Sequence, residues 1–122
     1  MCAMLLTGKH ILVTQAADQA EQLIKKLNDL GAETIHRPVI DIQPPDDFFE
    51  FDSQLKDIKN FDWILFTSKN GVEAFQSRIS TLELNKEDFA DSQIGVIGGS
   101  TADSLTKIGF VVDFKPDLQT SE

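Results

Sequence analysis

The side chains that could bind a ligand lie in three short polar segments, each directly after an apolar run and before a helical pattern. These candidate site residues are Thr14, Gln15, Thr67, Ser68, Lys69, Asn70, Gly98, Gly99, Ser100 and Thr101. Hydroxyl groups, N–H groups at a helix start and one lysine are suitable hydrogen-bond donors to an anion. The three segments therefore predict anion binding, and the simpler alternative is that Thr67 and Ser68 only cap the following helix.

The residue patterns required for metal binding, serine hydrolysis or nucleotide binding are not found in this sequence. His10 and His36 have no Asp or Cys at ligand spacing, so no metal site is predicted. Ser68 is not in a G-x-S-x-G elbow, which argues against a hydrolase. The segment 98–101 has neither the lysine of a Walker A loop nor the G-x-G-x-x-G spacing, which argues against the binding of nucleotide phosphates. Flavin binding in a flavodoxin-like sheet stays open, although only one Ser-Lys-Asn turn offers a phosphate site.

Composition narrows the class of protein. The chain of 122 residues suffices for one ordinary core, and its net charge of −9 argues against nucleic acid and anionic membrane partners. No apolar run approaches the roughly 20 residues that span a bilayer, and Met1 to Leu6 is too short for a signal segment. The single cysteine, Cys2, is predicted to be inert and suits a reducing compartment. We therefore expect a cytoplasmic location.

Short apolar runs predict the strands that position the candidate site. The runs are 10–14, 33–36, 63–66, 93–97 and 111–114. The runs at 10–14 and 63–66 are nearly continuous in large apolar residues, which predicts strands buried on both faces of a parallel sheet. Because ligands bind at the carboxyl ends of such strands, the polar segments lie where a site is expected. Residues 37–45 alternate and contain prolines, so we expect an exposed connecting ribbon or a crossing between domains.

Helical spacing predicts a helix after most of these strands. The expected inward faces are Ala20, Leu23, Leu27 and Leu30; Phe48, Phe51, Leu55 and Ile58; Val72, Phe75 and Ile79; and Ala102, Leu105 and Ile108. We expect the second helix to start at Asp46 or Asp47, and the third to be capped by Asn70 with Glu73. Ser100 with Asp103 suggests a further cap. Residues 80–92 are predicted to be a loop that can include one helical turn, with Leu82, Leu84 and Phe89 as the candidates to reach the core. Residues 119–122 are predicted to be a helix start.

Four ordered motifs resemble one family. They are ILVT before a helix, LGAETIHRPVIDIQP, DWILFTSKNGVEAF and IGVIGGSTADSLTKIGF. In this order they are similar to the amino-terminal half of uroporphyrinogen-III synthase, over about residues 10 to 118. The resemblance implies an α/β fold with a parallel sheet in a flavodoxin-like three-layer architecture, as part of a two-domain enzyme. It assigns 1–38 to a first domain and 39–122 to a second, both incomplete, with the ribbon 37–45 between them.

The resemblance also implies an activity. The family is a lyase of porphyrin and haem biosynthesis that cyclises the tetrapyrrole hydroxymethylbilane to uroporphyrinogen III, with loss of water and inversion of ring D, and uses no cofactor or metal. It implies that Thr67, Ser68 and Thr101 line the substrate cleft, at a solvent-facing rim. Two departures matter: Gln15 stands where many members have arginine, and the tyrosine proposed as the acid in the family would lie downstream, while this chain contains no tyrosine.

A second hypothesis is a non-catalytic α/β domain that binds a small anionic ligand. Under the family hypothesis, we expect the isolated chain to lack synthase activity because the cleft needs both complete domains. We also expect it to associate with itself through uncovered strand edges, with the ribbon 37–45 as a hinge for exchange.

Overall fold

The computed structural model describes residues 4–117, so Cys2 and the predicted helix start at 119–122 lie outside the described residues. The elements are β1 His10–Val13, α1 Ala17–Asp29, β2 Glu33–His36, α2 Phe49–Lys56, β3 Trp63–Phe66, α3 Lys69–Thr81, β4 Gln93–Val96 and α4 Gly99–Lys107. Two short 3-10 turns cover Ile58–Asn60 and Lys86–Phe89. The alternation of strands and helices confirms the predicted α/β class. None of the helices described is long and apolar enough to cross a membrane.

The chain separates into two compact units, Met1–Asp47 and Phe48–Glu122. The ribbon at 37–45 falls at the end of the first unit, and all residues from 37 to 47 are exposed and without regular structure. Prolines at 38, 44 and 45 explain why this segment forms no strand ladder, since proline has no N–H to donate. The assignment of 1–38 and 39–122 to two domains of a longer protein stays a prediction.

The first unit is a β-α-β motif. Strands β1 and β2 run parallel, in a register that pairs Val13 with His36, and α1 connects them. The helix buries Ala20 completely, but Leu23 is 42% exposed and Ile24 is half-buried in its place. The prediction that Leu23 faces inward was therefore wrong. Ile24 and Leu27, four and seven residues after Ala20, lie closer to the buried face of the helix than Leu23, which is three residues after it.

The second unit is built on the parallel pair β3–β4, whose register aligns Phe66 with Val96. The predicted strand at 111–114 is reduced to a single parallel bridge between Gly95 and Phe114. Backbone bonds still tie it to β4: the N–H of Val96 donates to Phe114 at 2.9 Å, and the N–H of Phe114 donates to Ile94 at 3.0 Å.

One hydrophobic core holds the second unit together. Four phenylalanines meet edge to face, with Phe75 at 5.1 Å from Phe66, 5.3 Å from Phe89 and 5.4 Å from Phe110 between ring centroids. Phe89 comes from the segment that was predicted to be a loop; a 3-10 turn capped by Asn85 directs it inward. Such edge-to-face pairs are favourable beyond the area that they bury.

Helix α2 begins at Phe49, later than predicted, and it contributes less to this core than its aromatic stripe suggests. Leu55 is buried, as is Ile58 in the following turn, whereas Phe48 is half-buried and Phe51 is exposed. The prediction that all four face a core was wrong for Phe51. This side chain instead lies beside a cleft along β3.

The central strands are buried on one face only, which corrects the prediction of burial on both. In β3, Phe66 is buried, whereas Trp63 is 45% exposed and Leu65 is 71% exposed. In β1, Val13 is buried and Leu12 is exposed. Parallel sheets in complete α/β domains are covered on both faces, which is why their strands are apolar throughout. Both units therefore carry strands suited to a second covering layer that the described residues do not provide.

Candidate functional site

Two helices start side by side at the carboxyl edge of the β3–β4 pair. The register places Phe66 next to Val96, and the N–H of Ile97 donates to the Phe66 carbonyl at 3.0 Å. The chain leaves this edge at Thr67 to enter α3 and at Gly98 to enter α4. Each helix start carries unpaired N–H groups and a partial positive charge. Eight of the ten predicted site residues are thus brought to one edge of the second unit.

Ser68 begins α3. Its backbone is extended, and its Oγ accepts a hydrogen bond from the N–H of Gly71 at 3.1 Å. The predicted cap at Asn70 was wrong, because Lys69 and Asn70 already have helical backbone and the residue before the first turn is Ser68. The hydroxyl is exposed and, while it accepts from Gly71, it keeps its own O–H as a donor. Ser68 can therefore cap the helix and bind an anion at the same time.

The neighbours of Ser68 are also accessible. Thr67 is exposed at the end of β3, and Asn70 is half-buried in the first turn of α3. The ammonium group of Lys69 lies 3.6 Å from the carboxylate of Glu73 one turn later. Since both side chains are largely in water, this pair is weak and the lysine can turn to another carboxylate.

The start of α4 has no side-chain cap. Gly98 occupies the cap position with φ of 94°, a conformation that side chains strongly disfavour. The first helical residues are Gly99, Ser100 and Thr101, so the predicted cap formed by Ser100 and Asp103 was wrong: Ser100 already lies inside the helix. Without a capping side chain, the first N–H groups of α4 remain donors for a ligand.

Thr101 does not lie at the solvent-facing rim. It is 4% exposed, and its Oγ1 is 3.7 Å from where a Cβ on Gly98 would stand. The reason is helical phase, because Thr101 shares a face with the fully buried Leu105 four residues later. Ser100 is the exposed hydroxyl of this turn.

Thr14 and Gln15 belong to the first unit, where they follow β1 and are exposed. The Thr14 carbonyl accepts a bond from the N–H of Val39 at 3.2 Å, and the Gln15 carbonyl accepts one from Nε2–H of His36 at 2.9 Å. The sequence argued against His36 as a metal ligand, and it did not predict that this side chain holds the turn after β1. The signal was its place at the carboxyl end of β2, beside the end of β1.

Asp52 and Arg78, whose pKa values are clearly shifted, lie on α2 and α3, away from the carboxyl ends of β3 and β4. The guanidinium of Arg78 holds the pKa of Asp52 below its ordinary value, mainly through hydrogen bonds of 2.9 and 2.6 Å. Within residues 4–117, no group of three or more His, Cys, Asp and Glu side chains could hold a metal ion.

Comparisons with known proteins agree on one family. A family model described as "Uroporphyrinogen-III synthase HemD" matches residues 21–122. The chain is 34% identical over 113 residues to the porphyrin biosynthesis protein HemD of Ruminiclostridium josui, covering 93% of this chain and 22% of that protein. It is 35% identical over 111 residues to the uroporphyrinogen-III synthase of Synechococcus elongatus, covering 91% of this chain and 42% of that protein.

Solved structures show the same fold. A mutant uroporphyrinogen III synthase from the extremely thermophilic bacterium Thermus thermophilus superposes with a TM-score of 0.65 at 18% identity, over 90% of this chain and 44% of that chain. The chain therefore spans less than half the length of these relatives.

Proposed function

Because the chain belongs to the uroporphyrinogen-III synthase family, we propose that it forms part of an enzyme that cyclises hydroxymethylbilane to uroporphyrinogen III with inversion of ring D and loss of water. Its own role would be to bind carboxylate groups of the tetrapyrrole. The activity of the complete enzyme is proposed here, because the chain spans 42% of the length of the synthase from Synechococcus elongatus.

The observation that carries the proposal is the pair of helix starts at one sheet edge. A substrate with eight carboxylates needs several donors, and here the exposed Ser68 hydroxyl and the uncapped first turn of α4 follow two paired strands. Hydrogen bonds to a charged group contribute about 1.5–3 kcal/mol each, and each helix dipole adds about 0.3–1 kcal/mol. A few such bonds offset the repulsion from a protein of net charge −9.

The individual roles follow from position. Thr67 and Ser68 would donate through their hydroxyls, Lys69 would supply charge, and Asn70 would offer an amide. In the second helix, Gly98 and Gly99 allow close approach of the backbone, Ser100 adds an exposed hydroxyl, and Thr101 acts mainly through its N–H because its side chain is buried. Thr14 and Gln15, at the end of β1 in the first unit, would also bind carboxylate groups.

Further parts of the proposal concern the cell and the assembly. We propose a cytoplasmic enzyme and a two-domain division at 1–38 and 39–122. We also propose that the isolated chain lacks synthase activity and associates with itself, since both units expose apolar residues on their strands, such as Leu12 and Leu65.

The test uses the α4 start. Gly99→Pro removes the first N–H of the helix, where proline is tolerated, and Gly99→Ala is the matched control because a Cβ there meets nothing within 4 Å. Binding is measured by titrating the fluorescence of uroporphyrin III, a stable octacarboxylate. We expect Gly99→Pro to weaken binding at least about tenfold and Gly99→Ala to weaken it less, because alanine keeps the N–H and adds only a methyl group. Equal affinities for both variants would contradict this site.

Catalysis is tested in a chimera in which this chain replaces the matched part of the Synechococcus elongatus synthase. Formation of the type III isomer from hydroxymethylbilane supports the family activity. Uroporphyrin binding by the chain, together with a folded but inactive chimera, would instead favour the anion-binding domain.

A further inference from the structure

The side chain of His36 contacts the turn that follows β1. Its Nε2 lies 2.9 Å from the carbonyl oxygen of Gln15. Since a carbonyl oxygen only accepts hydrogen bonds, Nε2 carries the hydrogen and donates it. The neutral Nε2–H ring and the protonated ring both make this bond, so the bond does not depend on the charge of the ring. A side chain of β2 thus donates to the backbone of a segment that belongs to the proposed carboxylate site.

The register of the first unit explains this contact. His36 is the last residue of β2 and pairs with Val13, the last residue of β1. Its side chain shares a face of the strand with that of Thr34, since side chains two residues apart point to the same side. The Thr34 hydroxyl donates to Asn28 of α1 at 2.9 Å. His36 therefore also faces the side of α1, and its ring reaches past the end of β1 to the turn that leads into the helix.

Two hydrogen bonds hold the peptide groups on either side of Gln15. The Thr14 carbonyl accepts from the N–H of Val39 at 3.2 Å, and the Gln15 carbonyl accepts from His36. Because a peptide group is planar, a bond that directs its carbonyl also restricts the orientation of the whole group. The direction of the Cα–Cβ bond of Gln15 follows from these two groups. The hydrogen bond from His36 therefore helps to set where the Gln15 side chain starts.

The bond from His36 is not needed to satisfy a buried carbonyl. Gln15 is exposed, so water can donate to its carbonyl when the ring is removed. The loss of such a bond leaves no buried group without a partner and costs little stability. The ring differs from water because it gives the carbonyl a fixed direction. A group held in its binding orientation binds more tightly, since less conformational freedom is lost on binding.

We propose that His36 is a positioning residue of the carboxylate site. It acts through the Gln15 carbonyl and holds the Gln15 side-chain amide where that amide donates to a carboxylate of the substrate. The inference rests on the proposed function, because Gln15 is a donor only if the chain binds these carboxylates. An amide carries no charge, so its contribution depends on a well-directed hydrogen bond. The orientation of Gln15 is therefore the property that His36 controls.

Substitutions at position 36 test the hydrogen bond. In His36→Gln the amide nitrogen lies as many bonds from Cβ as Nε2 does and can donate to the same carbonyl, whereas in His36→Asn it falls one bond short. In fluorescence titrations with uroporphyrin III, we expect His36→Asn to weaken binding about three- to tenfold, as for the loss of one hydrogen bond. His36→Gln should retain most of the affinity. His10→Asn is the matched control, since His10 starts β1 and makes an exposed ion pair with Glu33; it should bind as the parent chain does.

A double-mutant cycle tests whether His36 acts through Gln15. Gln15→Ala removes the side-chain amide but keeps the backbone carbonyl, so adding His36→Asn should cause no further loss of affinity. If His36 only stabilised the unit, His36→Asn would weaken binding equally with and without the Gln15 amide. Circular dichroism and urea denaturation confirm that each variant is folded under the conditions of the titration.

The outcomes separate this inference from the proposed function. If the parent chain binds uroporphyrin III and His36→Asn binds it equally well, the inference is wrong and the proposed function stands. The same conclusion follows if His36→Gln and His36→Asn lose equal affinity, or if the effects of His36→Asn and Gln15→Ala are additive. If the parent chain does not bind uroporphyrin III, the proposed function and the inference are both wrong.

Discussion

Ser68 combines a structural and a ligand-binding capacity in one hydroxyl group. Its oxygen accepts from Gly71, and its proton is left to donate. The two hypotheses raised by the sequence, cap or anion donor, are therefore compatible. Substitutions can separate them because aspartate caps a helix as well as serine does but repels a carboxylate.

We accordingly expect Ser68→Ala to lower the free energy of unfolding by about 1 kcal/mol, the usual value of a cap, and also to weaken uroporphyrin III binding. Ser68→Asp should keep the stability and lose the binding. Urea denaturation and fluorescence titration of the same samples check both parts. If Ser68→Asp binds as well as the parent chain, the hydroxyl is only a cap.

The ion pair between Asp52 and Arg78 joins α2 to α3 and should make stability depend on pH. The pKa of Asp52 is lower in the folded protein than its ordinary value of 3.8. Its contribution is therefore present above about pH 4 and is lost as the pH falls through the lowered pKa. The guanidinium also lies 4.6 Å from the centre of the Phe48 ring.

Denaturation from pH 6 to pH 2 tests this contribution. We expect the stability difference between the parent chain and Asp52→Asn to shrink as the solution becomes acidic. A difference that stays constant over this range would show that the charge of Asp52 contributes nothing.

Residue types and spacing were enough to place the polar segments at strand ends, but not to orient each side chain. Thr101 illustrates the limit. Its position after two glycines predicts a rim, yet Thr101 lies four residues before the buried Leu105 and shares its face of α4. Helical phase changes by about 100° with each residue, so residues four apart lie on nearly the same face, and this phase decides exposure more than the distance from the strand end does.

At the scale of elements, Phe75 is the centre of the second unit. It is 2% exposed and contacts three other aromatic rings. Phe75→Ala should lower the free energy of unfolding by about 3–5 kcal/mol, since it removes a buried aromatic and leaves a cavity. Phe49→Ala, at a residue 80% exposed, should change it by less than about 0.5 kcal/mol. Chemical denaturation that gave similar losses for both would contradict this core.

The strands and helices were largely predictable because their apolar periodicity is local. Burial was not, because it depends on the elements that cover a face. The apolar residues of β3 predict cover on both sides, and the described chain covers only one, which leaves Leu65 exposed. Phe89 is a different case: it stands in a polar segment predicted to be a loop, where it was one of three candidates to reach the core, and a short capped turn carries its ring there.

At the scale of the whole molecule, four motifs in a fixed order predict the family, and no single motif would have sufficed. The relatives that match 90% or more of the chain confirm this family. Gln15, where an arginine was expected, distinguishes this chain from the expected pattern. This difference predicts that carboxylate binding depends more on the second unit than on the end of β1.

The exposed segment from 37 to 47 has a consequence for limited proteolysis. Exposed backbone without regular structure is the preferred substrate of proteases. Trypsin should nevertheless spare it, because its one basic residue, Arg37, precedes Pro38 and no lysine follows until Lys56. Thermolysin, which cleaves before large apolar residues, should cut first at Ile40 or Ile42 and release a fragment that contains the whole second unit. Mass spectrometry of early digestion products would identify these sites, and first cuts within α3 or β4 would show that the second unit opens more readily than the segment preceding it.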